Sequence, residues 1–267
     1  MKPITCFPAV AFFLISIQAF GSQTLPKMAS DANPSYEVAT IKPSRPDERK
    51  TVAVQGTRLV TTDTSLVDLM MFAYGVHQLQ ITAGPDWIKT DKFDLVMQPN
   101  MPGRASTAQM RSILEKLLAD RFQLKFHRAQ TELPVYRIVQ AKGGAKLTPT
   151  SAEASAQNTA AIGFSEDAMI VRDATLPEFA SLMQRYVALD RPTVDHTGLT
   201  GKYDFKLSWT PDFTQFNGRS PWPTRSDQDA GPSLYTAMQE QLGLKLEPAK
   251  ELANTLVIDR AEKPSDN

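Results

Sequence analysis

Cysteine, histidine and net charge are all scarce in this sequence, and each scarcity excludes a class of function. The only cysteine is Cys6, so the rest of the chain offers no thiolate nucleophile, no cysteine metal ligand and no disulfide. The 3 histidines, His77, His127 and His196, are far apart, and none has a neighbour at the spacing of a zinc motif. Basic and acidic residues both number 29. We therefore expect no metal site. We also expect no nucleic-acid partner, because proteins that bind nucleic acid normally have an excess of basic residues.

Sequence motifs for nucleophilic catalysis and for nucleotide cofactors are also absent. There is no Gly-x-Ser-x-Gly, Ser-x-x-Lys, Gly-x-Gly-x-x-Gly or P-loop, so we assign no catalytic residue and no cofactor. Asp195, His196 and Thr197 are adjacent, but neighbours on a strand point to opposite faces, which argues against a triad. We expect a turn held by side-chain to backbone hydrogen bonds. Asp94 and Asp204 lie mid-strand between apolar neighbours, so both are expected on an outer face.

The longest apolar run lies at the N-terminus and predicts a secretory signal peptide. Lys2 precedes an almost wholly apolar stretch, Phe7–Phe20, and small residues follow at alternate positions. The run is shorter than the roughly 20 residues that a membrane span needs, and it has no basic C-terminal flank. We therefore expect residues 1–21 to be removed on export and residues 22–35 to be a disordered lead-in. The mature protein would lie in the periplasm or outside the cell, without a membrane span; an uncleaved anchor is the alternative.

Hydrophobic periodicity predicts an α+β fold with two lobes, residues 36–147 and residues 162–267, joined by a linker at residues 148–161. In each lobe two helices are expected to pack on a mainly antiparallel or mixed sheet. The predicted strands, with apolar residues at alternate positions, cover 36–43, 51–61 (a hairpin), 93–97, 122–126 and 134–139 (a second hairpin), 169–171, 203–209, 244–246 and 256–258. The predicted helices are capped by Asp63 or Thr64, by Ser106 and by Thr175, and a last one begins near Leu234; the third should bury Tyr186.

The two lobes repeat one another in sequence. A shift of 110 residues superimposes Lys92–Leu95 on Lys202–Phe205, and a shift of 120 residues superimposes Leu124–Phe126 on Leu244–Leu246. Each half then has the order hairpin, helix, strand, loop, helix, hairpin. This predicts an internal duplication. The alternative is that two stretches of similar periodicity match by chance at apolar positions.

The stretch from residue 192 to residue 209 is expected to be a structural signature. Its two glycines predict backbone at positive φ, which a side chain would resist. Large apolar residues at alternate positions then predict a half-buried strand. The residues that define this signature are Asp195, Thr197, Gly198, Gly201, Tyr203, Asp204 and Trp209.

Several motifs together carry a family resemblance. They are Tyr36–Ser44, Ala73–Gly75, Gly84–Ile88, Leu117–Phe122, residues 195–205 and residues 241–247. With these motifs the chain resembles a soil-associated family of exported bacterial proteins of unknown function, abundant in soil acidobacteria. The resemblance implies a secreted or envelope location and no assigned activity. Residues 232–259 are also faintly similar to the short modules that precede secretin and TonB-receptor channels and bind partner proteins.

These observations favour an exported, non-catalytic binding or protein-interaction module whose partner is an envelope protein or a small ligand. A secreted hydrolase with an unrecognised active site is the alternative. Four residues are candidates for binding: Trp87, Arg121, His127 and Trp222. His127 should face solvent, because it lies on the polar side of an alternating strand. Trp222 lies in a proline-rich loop that is either a recognition surface or a plain surface loop.

Overall fold

The computed structural model describes residues 25–153, 161–165, 167–218, 220–222 and 231–265, so the predicted signal segment lies outside the described ranges. Within them the chain has an α+β architecture. The strands are β1 (Tyr36–Pro43), β2 (Thr51–Gln55), β3 (Arg58–Thr64), β4 (Ile81–Thr82), β5 (Phe93–Pro99), β6 (Lys125–Gln140), β7 (Thr148–Pro149), β8 (Ala161–Phe164), β9 (Met169–Ala174), β10 (Thr193–Asp195), β11 (Tyr203–Leu207) and β12 (Leu244–Arg260). The helices are α1 (Leu66–Tyr74), α2 (Trp87–Thr90), α3 (Thr107–Arg121), α4 (Leu176–Leu182) and α5 (Leu234–Leu242), with a π-helix at Met183–Val187 and 3-10 turns at Gln78–Gln80 and Gln215–Gly218. In this described part of the chain no helix is long and apolar enough to span a membrane.

The strands form three four-stranded sheets. The first has the order β1-β5-β3-β2 and the third has the order β7-β11-β9-β8, both antiparallel. In the middle sheet, β10-β6-β12-β4, an antiparallel central pair is flanked by two parallel strands. Thr148 and Pro149, the first two residues of the predicted linker, form β7 and pair with β11.

The long central strands correct the prediction of a second hairpin in each lobe. The segments 125–126 and 134–139 belong to one strand of 16 residues, and its neighbour is β12, a strand of 17 residues. The chain between the apolar segments of each strand contains no glycine. The glycine that marks the turn of the β2–β3 hairpin has no counterpart there, and each strand stays extended and pairs across the molecule.

Two hydrophobic cores lie at opposite ends of the β6–β12 ladder. The first core, under the first sheet, includes Leu256 and Ile258 from β12. The second core, under the third sheet, includes Tyr136 and Ile138 from β6. Burying an apolar side chain of this size stabilises a fold by about 1.5–3 kcal/mol. Each core is thus completed by residues from the other half of the chain.

Helix starts follow the capping-box predictions with one correction. The capping boxes at Ser106 and at Thr175 are confirmed. The first helix begins after Ser65, whose side chain accepts a hydrogen bond from a first-turn N–H. It is not capped by Asp63 or Thr64. Asp63 has φ +51°, and the Thr64 hydroxyl donates to a backbone carbonyl of β5, so neither side chain is placed to cap.

The prediction that Tyr186 is buried is wrong. After Leu182 the helix widens into the π-helix Met183–Val187, and Ala188 follows at φ +54°. The wider turn changes the angular position of the later residues. Tyr186 is 42% exposed as a result.

Asp94 and Asp204 alternate with core-facing residues, in agreement with the expected outer face, but both are half-buried and hydrogen-bonded. Asp94 Oδ1 accepts from the N–H of Asp63 at 3.0 Å, and Asp204 Oδ1 accepts from the N–H of Asp173 at 2.7 Å. Asp63 and Asp173 both have positive φ, +51° and +48°. Each carboxylate therefore holds an irregular residue just before a helix.

Residues 25–35 correct the expectation of a disordered lead-in, because they make defined contacts along α3. Met28 is buried, and Gln109 Nε2 donates to the carbonyl of Ala29 at 2.7 Å. Lys116 Nζ donates to the carbonyl of Pro34 at 2.7 Å. Two of these contacts are hydrogen bonds to backbone carbonyls. Every residue has a carbonyl, so the polar composition of the segment could not indicate these bonds.

Candidate functional site, a cationic cleft between the lobes

A cleft of about 310 Å³ opens where the first lobe meets the π-helix of the second. Its walls come from the start of β2, from one face of α1 with the residues just after it, from the start of α3 and from residues 184–188. The apolar side chains in it are Val52, Met71, Phe72 and Val76, and the cations are Lys50, Arg111 and Arg185. An apolar wall with a few convergent charges is the usual form of a ligand site.

Arg111 on α3 is half-buried and incompletely hydrogen-bonded. Its Nε atom is buried and has no hydrogen-bond partner among the described residues. The guanidinium carbon lies 5.8 Å from the centroid of the Phe72 ring. Burial, and after it the nearby charge of Arg185, lower the pKa of Arg111. Leaving a buried donor unsatisfied costs about 1–3 kcal/mol, and more for a charged group, so an acceptor entering the cleft would remove a real penalty.

The π-helix supplies the second arginine of the cleft. Arg185 is exposed, and its guanidinium carbon lies 5.7 Å from the Tyr186 ring centroid. It forms no ion pair with any residue that the structure describes. Ala188, directly after the π-helix, also lines the cleft and has φ +54°. Single π-turns and residues held at positive φ are concentrated at functional sites, where surrounding contacts maintain the strain.

Asp68 is the only carboxylate among the residues lining the cleft, and its hydrogen bonds are already made. Lys50 Nζ donates to it at 2.8 Å, and the N–H and hydroxyl of Ser65 donate at 2.9 and 2.8 Å. Burial alone would raise the pKa of Asp68, but these hydrogen bonds outweigh it and lower the pKa. Asp68 therefore stays ionised and pairs with Lys50, so it is not available to Arg111 or Arg185.

His77 and Gln184 fix the π-helix segment against the first lobe. Nε2 of His77 lies 2.9 Å from the carbonyl of Leu189, and Nδ1 accepts from the N–H of Leu79 at 3.2 Å. These two contacts assign a neutral ring with its proton on Nε2. Burial lowers the pKa of His77, in agreement with that state. Gln184 Nε2 lies 3.4 Å from the carbonyl of Gly75, so the cleft wall is held from both sides.

None of the four predicted binding residues lines the cleft. Trp87 is half-buried on α2, and Arg121 ends α3. His127 faces solvent, as predicted, with Nδ1 2.8 Å from the Asp259 carboxylate. Trp222 is 5% exposed, and its ring packs edge-on against a second buried tryptophan at 4.6 Å. The structure therefore places Trp222 in the second core, and it does not bring the four residues together.

The turn predicted at Asp195 and Thr197 is confirmed. The Thr197 N–H donates to Asp195 Oδ1 at 2.9 Å, and the Thr197 hydroxyl accepts from the N–H two residues further on at 3.1 Å. His196 points elsewhere: its Nε2 lies 3.0 Å from Glu251, which also accepts from Arg137 at 2.7 Å. Burial would raise the pKa of Glu251, but the hydrogen bonds from Arg137 and His196 lower it. Asp195 and His196 thus have different partners.

The glycines of the signature stretch have the predicted positive φ, +68° at Gly198 and +111° at Gly201. The apolar alternation is also confirmed, because Tyr203 is half-buried while Leu207 and Trp209 are buried. Trp209 Nε1 donates to a buried glutamine at 2.7 Å. The stretch anchors the second core and contributes nothing to the cleft.

Sequence reasoning missed Arg111 and Arg185. Arg111 follows a buried methionine in α3. The helical pattern predicts which residues are buried, but it does not predict which of the polar residues will face the other lobe. The sequence predicts a regular helix at Arg185, whereas the direction of its side chain depends on the π-helix. The charge of this cleft is a product of tertiary contacts.

Comparison with known proteins gives a family and no assigned activity. Neither the curated proteins nor the solved structures include a significant match to the chain. Within the described ranges, no group of three or more His, Cys, Asp or Glu side chains could hold a metal ion. A family model described as "Protein of unknown function (DUF3738)" matches residues 67–261. That match covers most of the sequence, and the chain therefore belongs to the DUF3738 family.

Proposed function

We propose that this protein is an exported, non-catalytic binding module that holds an anionic group of its ligand in the cationic cleft. The observation that carries the proposal is the buried Nε of Arg111, which has no acceptor among the described residues. Arg185 stands close by, and neither arginine forms an ion pair with a described residue, although the charge of Glu115 also acts on Arg111. A carboxylate matches the fork of a guanidinium and would supply the missing acceptor, and such charge-assisted pairs are about twice as strong as neutral hydrogen bonds.

The other lining residues support a ligand with an apolar body beside its charge. Phe72, Val76 and Tyr186 form the wall around the arginines. Phe72 and Tyr186 each lie beside an arginine and offer a flat apolar surface on which an aromatic ring of the ligand could pack. An aromatic carboxylate therefore fits both the charge and the surface of the cleft.

The hydrolase alternative has less support. The described residues that line the cleft include no histidine, serine or cysteine, and Asp68 is held by Lys50 and Ser65. A general base must reach the proton that it removes, and here no base adjoins a nucleophile. His196 and Glu251 lie apart from the cleft and pair with each other.

A calorimetric titration with benzoate, and with benzamide as its neutral counterpart, tests the proposal. We expect benzoate to bind and benzamide to bind at least about tenfold more weakly, since a hydrogen bond to a charged group is worth about 1.5–3 kcal/mol. Arg111→Gln should remove that preference. Arg121→Gln, at the far end of the same helix, should leave it unchanged. No benzoate binding, or equal binding by the Arg111→Gln variant, contradicts the proposal.

Export is part of the same proposal. Its support is the apolar run Phe7–Phe20 with a preceding lysine and small residues after it. The likeness to soil acidobacterial proteins and to the modules before secretin channels points the same way. N-terminal sequencing of protein from the envelope fraction should find a chain that begins after about residue 21. A cytoplasmic protein that still begins at Met1 would exclude export.

We also propose that the two lobes arose by duplication. Equivalent contacts support it: the N–H of Ser44 donates to the carbonyl of Lys92, and the N–H of Thr150 donates to that of Lys202, both at 2.9 Å. Pro43 pairs with Phe93 in the first sheet, and Pro149 pairs with Tyr203 in the third. In each lobe an aspartate then accepts from a residue at positive φ just before a helix. Chance similarity would have to reproduce these contacts in the same order.

A further inference from the structure

We propose that the free edge of β2 takes an extended, acidic segment of a partner protein as an additional strand, with an acidic side chain of that segment in the cleft. The inference rests on the proposed function of the cleft and names the class of ligand that brings the anion.

The outer edge of β2 lacks the features that protect sheet edges. It is the last strand of the first sheet, all five of its residues are exposed, and its register with β3 has no irregularity. Its sequence, Thr-Val-Ala-Val-Gln, contains neither charge nor proline. The opposite edge strand, β1, carries Glu37, Lys42 and Pro43 and has a register shift near Tyr36. Proteins normally protect exposed edges in the manner of β1, so the bare edge of β2 is a place for pairing.

The backbone of β2 presents two residues to a new strand. Gln55 and Arg58 flank a two-residue turn and therefore form a hydrogen-bonded pair. Such pairs alternate along an antiparallel ladder, so the N–H groups of Val52 and Val54 point away from β3. Their side chains lie on the core-facing side of the sheet, beside the buried Leu59, yet they are 42% and 44% exposed. The edge therefore offers both backbone donors and an apolar surface.

The same strand leads into the cleft. Lys50, Thr51 and Val52 are among its lining residues. A strand added along β2 would place its inward side chains beside Val52, because paired residues lie on the same face. One acidic side chain at that position would be next to Arg111 and Arg185, which form no ion pair with a described residue.

Charge at the ends of β2 favours an acidic partner over a second copy of the chain. Arg49 precedes the strand and Arg58 follows the turn, whereas Lys50 is paired with Asp68. Two β2 strands paired antiparallel would bring the start of one beside the end of the other, and so bring these cations together. Like charges opposite one another destabilise a strand pair, whereas aspartate or glutamate in the added strand would stabilise it.

The probe for the test is a phage-displayed library of random decapeptides, selected on the full mature chain. We expect selected peptides to combine β-branched residues with aspartate or glutamate. Their affinity should fall at least about tenfold in Arg111→Gln and in Val54→Pro, which removes an outward N–H at an edge where proline is tolerated. Val54→Thr, which keeps that N–H, should bind normally. Independently of any variant, the amides of Val52 and Val54 should become protected from hydrogen exchange when a selected peptide binds.

Selection of neutral or basic peptides, absence of any enrichment, or unchanged exchange at Val52 and Val54 would overturn the inference. A concentration-dependent dimer that Val54→Pro abolishes would overturn it in favour of self-pairing. Benzoate titration of the same proteins separates the two proposals, because Val54 does not line the cleft. Benzoate binding without peptide binding leaves the cleft function intact and removes only the strand partner; loss of both removes the function itself.

Discussion

Arg185, on the π-helix, lies close enough to Arg111, on α3, for its charge to lower the pKa of Arg111. Neither arginine forms an ion pair in the described part of the chain, and Asp68, the acidic residue of the cleft, is paired with Lys50. Two like charges held together in this way oppose folding and favour an anion. This is the relationship expected of a site that binds an anion at some cost in stability.

Arg185→Gln should therefore separate stability from binding. Removing the repulsion should leave the free energy of unfolding unchanged or raise it by about 0.5 kcal/mol at low ionic strength. The same substitution should weaken benzoate binding. Urea unfolding at two salt concentrations, combined with the titration, checks both effects. A variant that is clearly less stable would show that Arg185 has a structural partner instead.

The buried imidazole of His77 should make the stability of the fold depend on pH. Burial lowers its pKa from the ordinary 6.5, so below that pH the unfolded chain takes up a proton that the folded chain resists. The contribution of His77 to stability is complete above pH 6.5 and is lost as the pH falls towards the lower, folded-state pKa.

Urea unfolding between pH 8 and about pH 5 measures this effect. The decline in stability should be shallower in His77→Gln than in the native chain. His127→Gln, which alters an exposed imidazole, serves as the control. Parallel pH profiles for the native chain and His77→Gln would contradict the neutral, buried imidazole.

Substitution of two glycines distinguishes the cost of backbone strain from the cost of steric overlap. Gly198 and Gly243 have similar φ angles, +68° and +63°. A Cβ at Gly198 would meet nothing within 4 Å, whereas a Cβ at Gly243 would overlap the carbonyl oxygen of Gly144.

Gly198→Ala should therefore cost about 1 kcal/mol from φ alone. Gly243→Ala should cost about 2–4 kcal/mol, because overpacking adds about 1–3 kcal/mol. Thermal and urea unfolding of the two variants give the comparison. Equal losses would mean that the chain near Gly144 moves aside at little cost.

The carboxylates Asp94 and Asp204 should be structural in both lobes. Alanine in place of either leaves a partly buried N–H without its carboxylate, so each variant should lose about 1–3 kcal/mol of stability. Asp94→Ala should be the milder, because Ser44 Oγ is a second acceptor 3.2 Å from the Asp63 N–H. Asparagine at either position keeps an acceptor oxygen and should restore most of the loss. Alanine variants as stable as the native chain at both positions would show that these hydrogen bonds do not stabilise the fold.

The sequence predicted what depends on local pattern. Three kinds of feature that involve residues a few positions apart are confirmed. They are the glycine at a hairpin turn, the capping boxes at Ser106 and Thr175, and the apolar faces of α3 and α5. Pairing of β6 with β12 was missed because it joins residues more than a hundred positions apart, and each apolar segment also resembled half of a hairpin. The cleft was missed because the π-helix has no sequence signature, and its position depends on contacts of His77 and Gln184 with distant residues.

The most direct measurement is the side-chain ¹H–¹⁵N resonance of Arg111 Nε, followed during a benzoate titration. We expect this Nε–H to lack an acceptor in the free protein and to gain one on binding, so its proton signal should move downfield and exchange more slowly with water. The Nε–H of Arg121, at the other end of α3, should not change. An Arg111 resonance that stays in place while benzoate saturates the protein would contradict the claim that the cleft binds an anion through this residue.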